Sequence, residues 1–326
     1  MKKILVVGCG PAGAYLTALL SQDTSFAFKA VDDGVKNGHF CAWGVSEDIV
    51  DRLLRDIGLK LEDLTIAKPK TAIVNKTRLH IKNLAIVDKP KMLKELVKET
   101  RVLNMHLRDV PSGYDLVVDA TGSAELIGEK KGAPAHTVQY RVWSDTYAEN
   151  SVVFIDVARG GYAWAFPLEP GYWHVGAIHV YESRVQALAN TMLEKLRAEK
   201  VLCKCSCHMT LSTPSQARLV KGNVVAIGAS ANCVNPLSGE GIAPSMLSAK
   251  ILYDSLARGV KDYERRLKLK VAKEMKFDEA YSILTKFVES KLTPLDLLSS
   301  IKVLRLNRYV NSIGLAKLAM KALAIA

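Results

Sequence analysis

The 326-residue sequence lacks several signals that would place it in a protein class at once. No window of about 18 uninterrupted apolar residues occurs, which argues against a membrane-spanning helix. A GxSxG elbow, an HExxH helix and a Walker loop are also absent, so three common signatures of hydrolases, zinc proteases and P-loop proteins are missing. The N-terminus runs into a predicted strand without an apolar leader or cleavage site, and we therefore expect a cytoplasmic protein.

Acidic residues are scarce relative to basic ones. The sequence has 33 Asp and Glu against 45 Lys and Arg, which gives a formal net charge of +12. An anionic partner therefore has to be considered: nucleic acid, an anionic membrane surface or a phosphorylated substrate. The basic residues are scattered, without a basic arm, a zinc finger or a basic run interleaved with aromatics, so we predict no nucleic-acid partner. A solvated, Lys-rich surface explains the charge equally well and stays open.

The six cysteines do not look like the framework of a small secreted protein, because a core of this size needs no disulfide staples. Cys203, Cys205 and Cys207 alternate along one predicted strand, and the pattern CxCxC lacks the usual C-x2-C geometry of a zinc site. We expect buried or redox-idle thiols there. The seven histidines form no recognisable triad or ligand set, so the sequence predicts no metal site.

A nucleotide-binding pattern begins almost at the N-terminus. An apolar run from Lys3 to Val7 is typical of a buried parallel strand, and the GxGxxG motif that follows precedes a helical pattern. Gly8 permits the tight turn, Gly10 lets the backbone approach a pyrophosphate, and Gly13 lets helix and strand pack closely. The phosphates would lie at the helix N-terminus, where unpaired N–H groups favour anions.

A second predicted strand ends at Asp32, whose carboxylate is predicted to bind the adenosine ribose. Asp33 is the alternative if the strand ends one residue later. By itself this βαβ pattern does not distinguish FAD from NAD, although its position near the N-terminus and the Pro-Ala inside the motif favour FAD.

The sequence pattern changes twice in the rest of the chain. Four predicted strands between residues 139 and 180 are linked by short turns and imply an antiparallel sheet. Val224–Gly228 is again a short apolar run that is typical of a buried strand. Beyond about Lys261 the sequence is predicted to be helical, and it is basic and rather apolar.

Three further segments carry a family resemblance. Asp119–Gly122 reads DATG, Gly228–Ile242 contains GASA and NPLSGEGI, and Gly161–Pro167 reads GYAWAFP. They resemble the ATG segment of two-dinucleotide-type flavoproteins, their second flavin-contacting segment, and the YxWxFP signature of the geranylgeranyl reductase family. The best-known members of that family are the archaeal digeranylgeranylglycerophospholipid reductases.

The resemblance implies an α/β fold with an α+β insertion and FAD as the cofactor. It divides the chain into a Rossmann-type FAD-binding domain (1–122 and 215–260), an inserted antiparallel-sheet substrate domain (123–214) and a helical C-terminal region (261–326). The implied reaction saturates carbon–carbon double bonds in polyprenyl chains of membrane lipids or their precursors. Ferredoxin, reduced nicotinamide and deazaflavin remain equal candidates for the electron donor.

The resemblance also implies site residues. Cys41 stands beside the flavin ring, as a candidate for gating or acid catalysis, against the simpler interpretation of a small buried residue. Tyr162, Trp164 and Phe166 alternate on one strand face and would line a prenyl channel together with Pro167, against the interpretation of an aromatic core. The implied FAD contacts are Gly8, Gly10, Ala12, Gly13, Asp32, Cys41, Ala42, Gly44, Lys89, Ala120, Gly122, Gly239, Gly241 and Ile242.

Three positions depart from the family pattern: Ala229 replaces an Asp that binds the ribityl chain, Lys89 replaces an Arg, and Arg159 replaces a Pro. Two functional alternatives stay open, namely a hydroxylase or quinone-linked dehydrogenase on the same scaffold, and a non-catalytic lipid-binding or electron-transfer flavoprotein. Ile313–Ala326 reads IGLAKLAMKALAIA, which is typical either of a packed helix or of an interfacial helix on an anionic membrane.

Overall fold

The computed structural model describes residues 2–34, 41–128, 130–146, 151–158, 160–289, 291 and 293–303. The helices are α1 Pro11–Ser21, α2 Glu47–Arg55, α3 Lys89–Val97, α4 Glu182–Leu196, α5 Ile242–Ser255, α6 Val260–Leu267, α7 Phe277–Val288 and α8 Pro294–Val303. The strands are β1 Lys2–Val7, β2 Phe26–Asp32, β3 Gly44–Ser46, β4 Thr65–Ala67, β5 Thr71–Val74, β6 Thr77–His80, β7 Leu84–Val87, β8 Val102–Asn104, β9 Leu116–Asp119, β10 Ala133–Trp143, β11 Val152–Ala158, β12 Gly161–Pro167, β13 Tyr172–His179, β14 Lys200–Leu211, β15 Val220–Lys221 and β16 Val224–Ala226.

A six-stranded sheet has the order β15-β16-β9-β1-β2-β8 and is parallel except for β15. Ile4–Val7 are buried on both faces of this sheet, as the unbroken apolar run predicts. β16 joins it from a point more than 80 residues after β9, with the inserted sheet between them. The predicted α/β fold with an antiparallel insertion is confirmed.

The inserted sheet has seven strands in the order β14-β10-β13-β12-β11-β5-β6. Its pairs are antiparallel except for β5 with β11. The hairpin Thr71–His80 therefore extends this sheet, although it lies within the segment 1–122 that the sequence assigns to FAD binding. The reason is that Val152–Ile155 offers an open edge beside which β5 pairs in register.

Strand alternation gives the seven-stranded sheet two different faces. The back face packs on α4 through small and aliphatic side chains, among them Val138, Ala163 and Val175, which share a buried cluster with Met192 of α4. The front face turns towards the six-stranded sheet and the later helices. Residues in register across it are Cys205, Gln139, Gly176 and Trp164, from β14 to β12.

The remaining elements join these two sheets. The strands of a three-stranded sheet of order β3-β7-β4 lie between β2 and β8 in the chain, and a π-helical segment, Lys268–Glu274, links α6 to α7. The buried Tyr263 hydroxyl of α6 donates a hydrogen bond to the Ala226 carbonyl at 2.6 Å, which fixes α6 against β16. Among the described residues, no helix is both long enough and apolar enough to cross a bilayer.

Candidate FAD and substrate site

The Gly-rich turn between β1 and α1 needs two of its glycines for its own packing. Gly8 has a φ of +96°, and a Cβ built there would lie 2.5 Å from the carbonyl oxygen of Ala120. A Cβ at Gly13 would lie 1.8 Å from the carbonyl oxygen of Gly8. Side chains at these two positions are therefore excluded by the protein itself.

Gly10 differs, because the fold does not demand a glycine there. Its φ of −66° and ψ of −173° suit other residues, and no atom lies within 4 Å of a Cβ built at this position. Gly10 is also the N-cap of α1, and no side chain caps that helix. An open cradle at an uncapped helix N-terminus fits a pyrophosphate, which accepts hydrogen bonds from the free N–H groups.

Asp32 ends β2 beside this cradle. Its carboxylate accepts hydrogen bonds from the Cys9 N–H at 2.6 Å and the Gly34 N–H at 2.8 Å. Asp33 instead contacts His106, with 3.3 Å between Asp33 Oδ2 and His106 Nδ1. Of the two predicted ribose ligands, Asp32 is the one at the Gly-rich turn.

The ATG segment and the GASA segment meet at the same edge of the six-stranded sheet. Ala12 Cβ lies 2.7 Å from a Cβ built at Gly228, and Ala229 Cβ lies 3.9 Å from one built at Gly122. The carboxyl ends of β1, β9 and β16 therefore bring three of the predicted FAD segments together, as parallel strands at a switch point do.

Asp119 and Ser230 hold this edge in place, a pair that sequence analysis missed. The fully buried Asp119 carboxylate accepts hydrogen bonds from the Leu126 and Ile127 N–H groups, both at 2.9 Å, and from the Ser230 hydroxyl at 2.9 Å. The Ser230 oxygen also accepts the Gly122 N–H at 2.9 Å. Three of these four bonds end on the carboxylate and compensate its desolvation, so the pair has a structural role.

The second flavin-contacting segment forms a tight loop before α5. Asn235 Oδ1 accepts hydrogen bonds from the Leu237 N–H at 2.9 Å and the Ser238 N–H at 3.0 Å. Gly241 is the N-cap of α5, and no side chain caps this helix either. The N–H groups at Gly241 and Ile242, two of the predicted FAD contacts, thus lie at a second helix N-terminus that favours negative charge.

The loop that contains Cys41, Ala42 and Gly44 packs on the front face of the seven-stranded sheet. A Cβ at Gly44 would lie 3.0 Å from the Phe166 ring, and Ala42 packs in the same apolar cluster as Trp164. Cys41 is half-buried in this loop.

Trp43, which sequence analysis did not select, anchors this loop. Its ring meets His174 edge-on, with 4.4 Å between ring centroids, and its φ is +63°. A tryptophan in the left-handed region is strained, and such strain concentrates at ligand sites.

The aromatic stripe on β12 reaches the flavin segment directly. The Tyr162 hydroxyl donates a hydrogen bond to the Ser238 carbonyl at 2.6 Å, and a Cβ at Gly239 would lie 2.7 Å from the same hydroxyl. Burial raises the pKa of Tyr162, which keeps the hydroxyl protonated as a donor. Pro167 lies one strand position from Phe166 and so points with Ala165 towards the back face, whereas the sequence places it in the channel wall.

The opposite part of the front face is polar, which sequence analysis also missed. Gln139 and His174 are buried there, and Arg141 is half-buried with its guanidinium 5.5 Å from the centroid of the Tyr172 ring. The Nε atom of Arg141 is buried without a hydrogen-bond partner among the described residues. Alternation in two separate strands, β10 and β13, assembles this group, so no local sequence pattern predicts it.

The predicted cofactor residue Lys89 faces this polar region. It begins α3 and is only 9% exposed. Burial raises the pKa of the Cys205 thiol, the neighbouring Cys203, Cys207 and Cys41 thiols raise it further, and the Lys89 ammonium opposes them. Cys41, Lys89 and Cys205 are therefore electrostatic neighbours.

The other thiols fall into two groups. Burial raises the pKa of Cys9 and of Cys233 to about 12 each, so both remain protonated at neutral pH. Cys203 is exposed on the edge strand β14. The predicted tail helix Ile313–Ala326 and Arg159 lie outside the described residues.

Comparison with known proteins extends this description. An uncharacterized protein of Methanocaldococcus jannaschii is 24% identical over an alignment of 313 residues, which covers 80% of this chain and 84% of the relative. A geranylgeranyl bacteriochlorophyll reductase-like protein of Thermoplasma acidophilum has a TM-score of 0.76 at 16% identity, over 99% of this chain and 96% of that one. A tryptophan 6-halogenase of Streptomyces toxytricini has a TM-score of 0.68 at 13% identity, over 87% and 76% of the two chains.

A family model described as tryptophan halogenase matches residues 98–290. This segment contains the ATG segment, the aromatic stripe and the second flavin-contacting segment. The predictions of FAD as cofactor and of a flavin-dependent oxidoreductase are confirmed. Because the match spans more than half of the sequence, the protein belongs to the tryptophan halogenase family, within the FAD-dependent oxidoreductases.

Proposed function

We propose that the protein is an FAD-dependent reductase that saturates carbon–carbon double bonds of geranylgeranyl or other polyprenyl chains in membrane lipids or their precursors. One observation carries the proposal: the aromatic stripe Tyr162–Phe166 packs against the loop that contains Cys41 and Gly44, at Gly44, and against the second flavin-contacting segment, at Ser238. An apolar wall at that place suits a hydrocarbon chain. The likeness to the reductase-like Thermoplasma protein over nearly the whole of both chains supports it.

The residues around the stripe make the site apolar. Trp164 packs in one cluster with Val234 and Leu237 of the flavin-contacting loop and with Tyr281 and Leu284 of α7. These side chains would exclude water from the alkene. Most of the contacts that they offer a prenyl chain are apolar.

FAD, when bound, supplies the hydride that this reaction requires. An isolated trisubstituted alkene accepts hydride poorly, so a proton has to arrive with the hydride or before it. We assign the holding of that proton to Cys41, which is half-buried in the loop that packs on the front face.

The polar part of the front face suits the head group of such a lipid. Arg141 has no ion-paired carboxylate among the described residues, and its buried Nε has no partner. A half-buried guanidinium that lacks an acid is stabilised by an anionic ligand such as a phosphate. We assign Arg141 to the phosphate of a prenyl lipid or prenyl phosphate.

Two further parts of the proposal concern partners. The electron donor is a ferredoxin, a reduced nicotinamide or a reduced deazaflavin. The net charge of +12 would hold the protein at an anionic membrane, where prenyl lipids reside.

Membership of the tryptophan halogenase family favours a second candidate, an oxygen-dependent halogenation or hydroxylation. The two candidates differ in their co-substrates. Reduction consumes an electron donor and a proton but no oxygen, whereas the second reaction requires oxygen as well as an electron donor.

The test uses the full chain loaded with FAD and reduced with dithionite under nitrogen, together with a geranylgeranyl phospholipid. We expect products whose mass increases by two hydrogens per reduced bond. Gly10→Val is the matched control, because the fold has space for this side chain but the bound pyrophosphate does not. We expect it to remain folded, to lose FAD and to form no product. A halogenated or hydroxylated product in air with halide and tryptophan, without any hydrogenated lipid under nitrogen, would overturn the proposal.

A further inference from the structure

Three metal-ligating side chains meet on the back of the seven-stranded sheet, away from the FAD site. His136 on β10 and His208 on β14 are cross-strand partners, and Glu182 is the first residue of α4. One ligand atom from each lies within 4.8 Å of the other two. His136 has the strand parity of Val138 and Tyr140, which pack against α4, so the cluster lies on the helix side of the sheet.

The distances within this cluster suit a small divalent ion. The two Nδ1 atoms of His136 and His208 are 2.6 Å apart, His208 Nε2 is 3.7 Å from Glu182 Oε1, and His136 Nδ1 is 4.0 Å from Glu182 Oε2. Ligands of tetrahedral zinc, at bond lengths of about 2.1 Å, are about 3.4 Å apart. With one ligand atom taken from each residue, the three atoms lie within 4.8 Å of one another, so no separation has to change by more than about 1.4 Å to reach this spacing. The side chains of His208 and Glu182 are 67% and 68% exposed, which leaves them space to adjust.

The contact between the imidazoles is one that a metal ion can replace. Their ring nitrogens face each other, and at most one proton fits between two nitrogens at this distance. A metal ion takes the place of that proton and uses both lone pairs. Two imidazoles with one carboxylate select borderline transition metals over magnesium and calcium, which prefer all-oxygen sites.

We propose that His136, His208 and Glu182 form a site for a zinc-class divalent ion, with solvent in the remaining coordination position. The ion joins the edge strand β14 to β10 and to the start of α4. An edge strand has unpaired backbone groups along one side, and a cross-link to the sheet interior and the helix resists fraying at that edge. The site is structural, because it lies across the sheet from the aromatic stripe.

The test uses the full chain with FAD, treated with EDTA and then dialysed, and zinc chloride as the probe. Calorimetry should show one Zn²⁺ per chain, and the melting temperature should rise when zinc is added. His208→Ala and Glu182→Gln should each weaken zinc binding at least about tenfold and remove the thermal shift. His80→Ala, at the opposite edge of the same sheet, is the matched control and should bind zinc like the wild type.

The thiols of β14 provide the decisive second control. Replacing Cys203, Cys205 and Cys207 together by Ser should leave zinc binding unchanged. The proposal is overturned if the wild type shows no thermal shift, or if the triple Ser variant loses zinc binding while His208→Ala retains it.

Discussion

The two faces of the seven-stranded sheet use the same strands for different purposes. On the back face, Val138, Ala163, Val175 and Ala177 pack under α4, and all four are at most 3% exposed. On the front face, the same strands present aromatic rings, an amide, an imidazole and a guanidinium, several of them with buried polar atoms. Because buried polar groups destabilise a fold unless they are paired, residues such as Arg141 are better explained by a ligand than by packing.

This comparison shows how a site can be distinguished from a core in a sheet that is buried on both sides. Burial alone does not separate Trp173 on the back face from Trp164 on the front face, since both rings are largely buried. The residues around each ring distinguish the two. Trp173 lies among aliphatic side chains under α4. Trp164 lies beside Ala42 and beside Leu237 of the second flavin-contacting segment.

Trp173→Ala should have the largest effect on stability. Its side chain is 1% exposed in the back-face cluster, so the cavity should lower the free energy of unfolding by about 3–5 kcal/mol. Urea denaturation of the FAD-loaded protein measures this loss, with the exposed Val157→Ala as control at about 0.5 kcal/mol or less. The distinction between the faces fails if the folded variant loses its substrate affinity as well.

Arg141→Met should separate binding from stability on the front face. The variant keeps an unbranched side chain and removes the guanidinium cation, so KM for a phosphate-bearing prenyl substrate should rise about 10- to 100-fold, which corresponds to about 1.4–3 kcal/mol. Steady-state kinetics with a prenyl phosphate and with the uncharged prenyl alcohol measures KM for each substrate. Only KM for the prenyl phosphate should rise. The exposed Arg184→Met on α4 is the matched control. An equal rise for both substrates would assign Arg141 to packing instead.

Tyr162→Phe should have the smallest effect, because it keeps the ring and removes only the hydrogen bond to the Ser238 carbonyl. We expect a loss of about 0.5–1.5 kcal/mol in FAD binding, or about a two- to tenfold rise in Kd. Fluorescence titration of the FAD-depleted protein measures the change, and the exposed Tyr181→Phe should leave Kd unaltered. A wild-type Kd in Tyr162→Phe would show that this bond does not support the flavin-contacting loop.

The sequence predicts a structural feature correctly where all residues of that feature lie in one short segment. The apolar run before Gly8, the spacing of Gly10 and Gly13, and the acid at Asp32 predict the nucleotide-binding turn, because strand, turn and helix are adjacent in the chain. The alternation of Tyr162, Trp164 and Phe166 predicts a shared strand face for the same reason.

Tertiary structure decided what depends on strands that are distant in sequence. Pairing of β10 with β13 and β14 brings Gln139, Arg141, His174 and Cys205 onto one surface, and the same pairing sets His136 beside His208 on the other. The side of the sheet on which we propose the FAD and substrate site is the one that α4 does not cover. Sequence by itself therefore determined the cofactor turn and the period of each strand, whereas register and layer packing decided which residues share a site, because a shift of one residue would exchange the two faces.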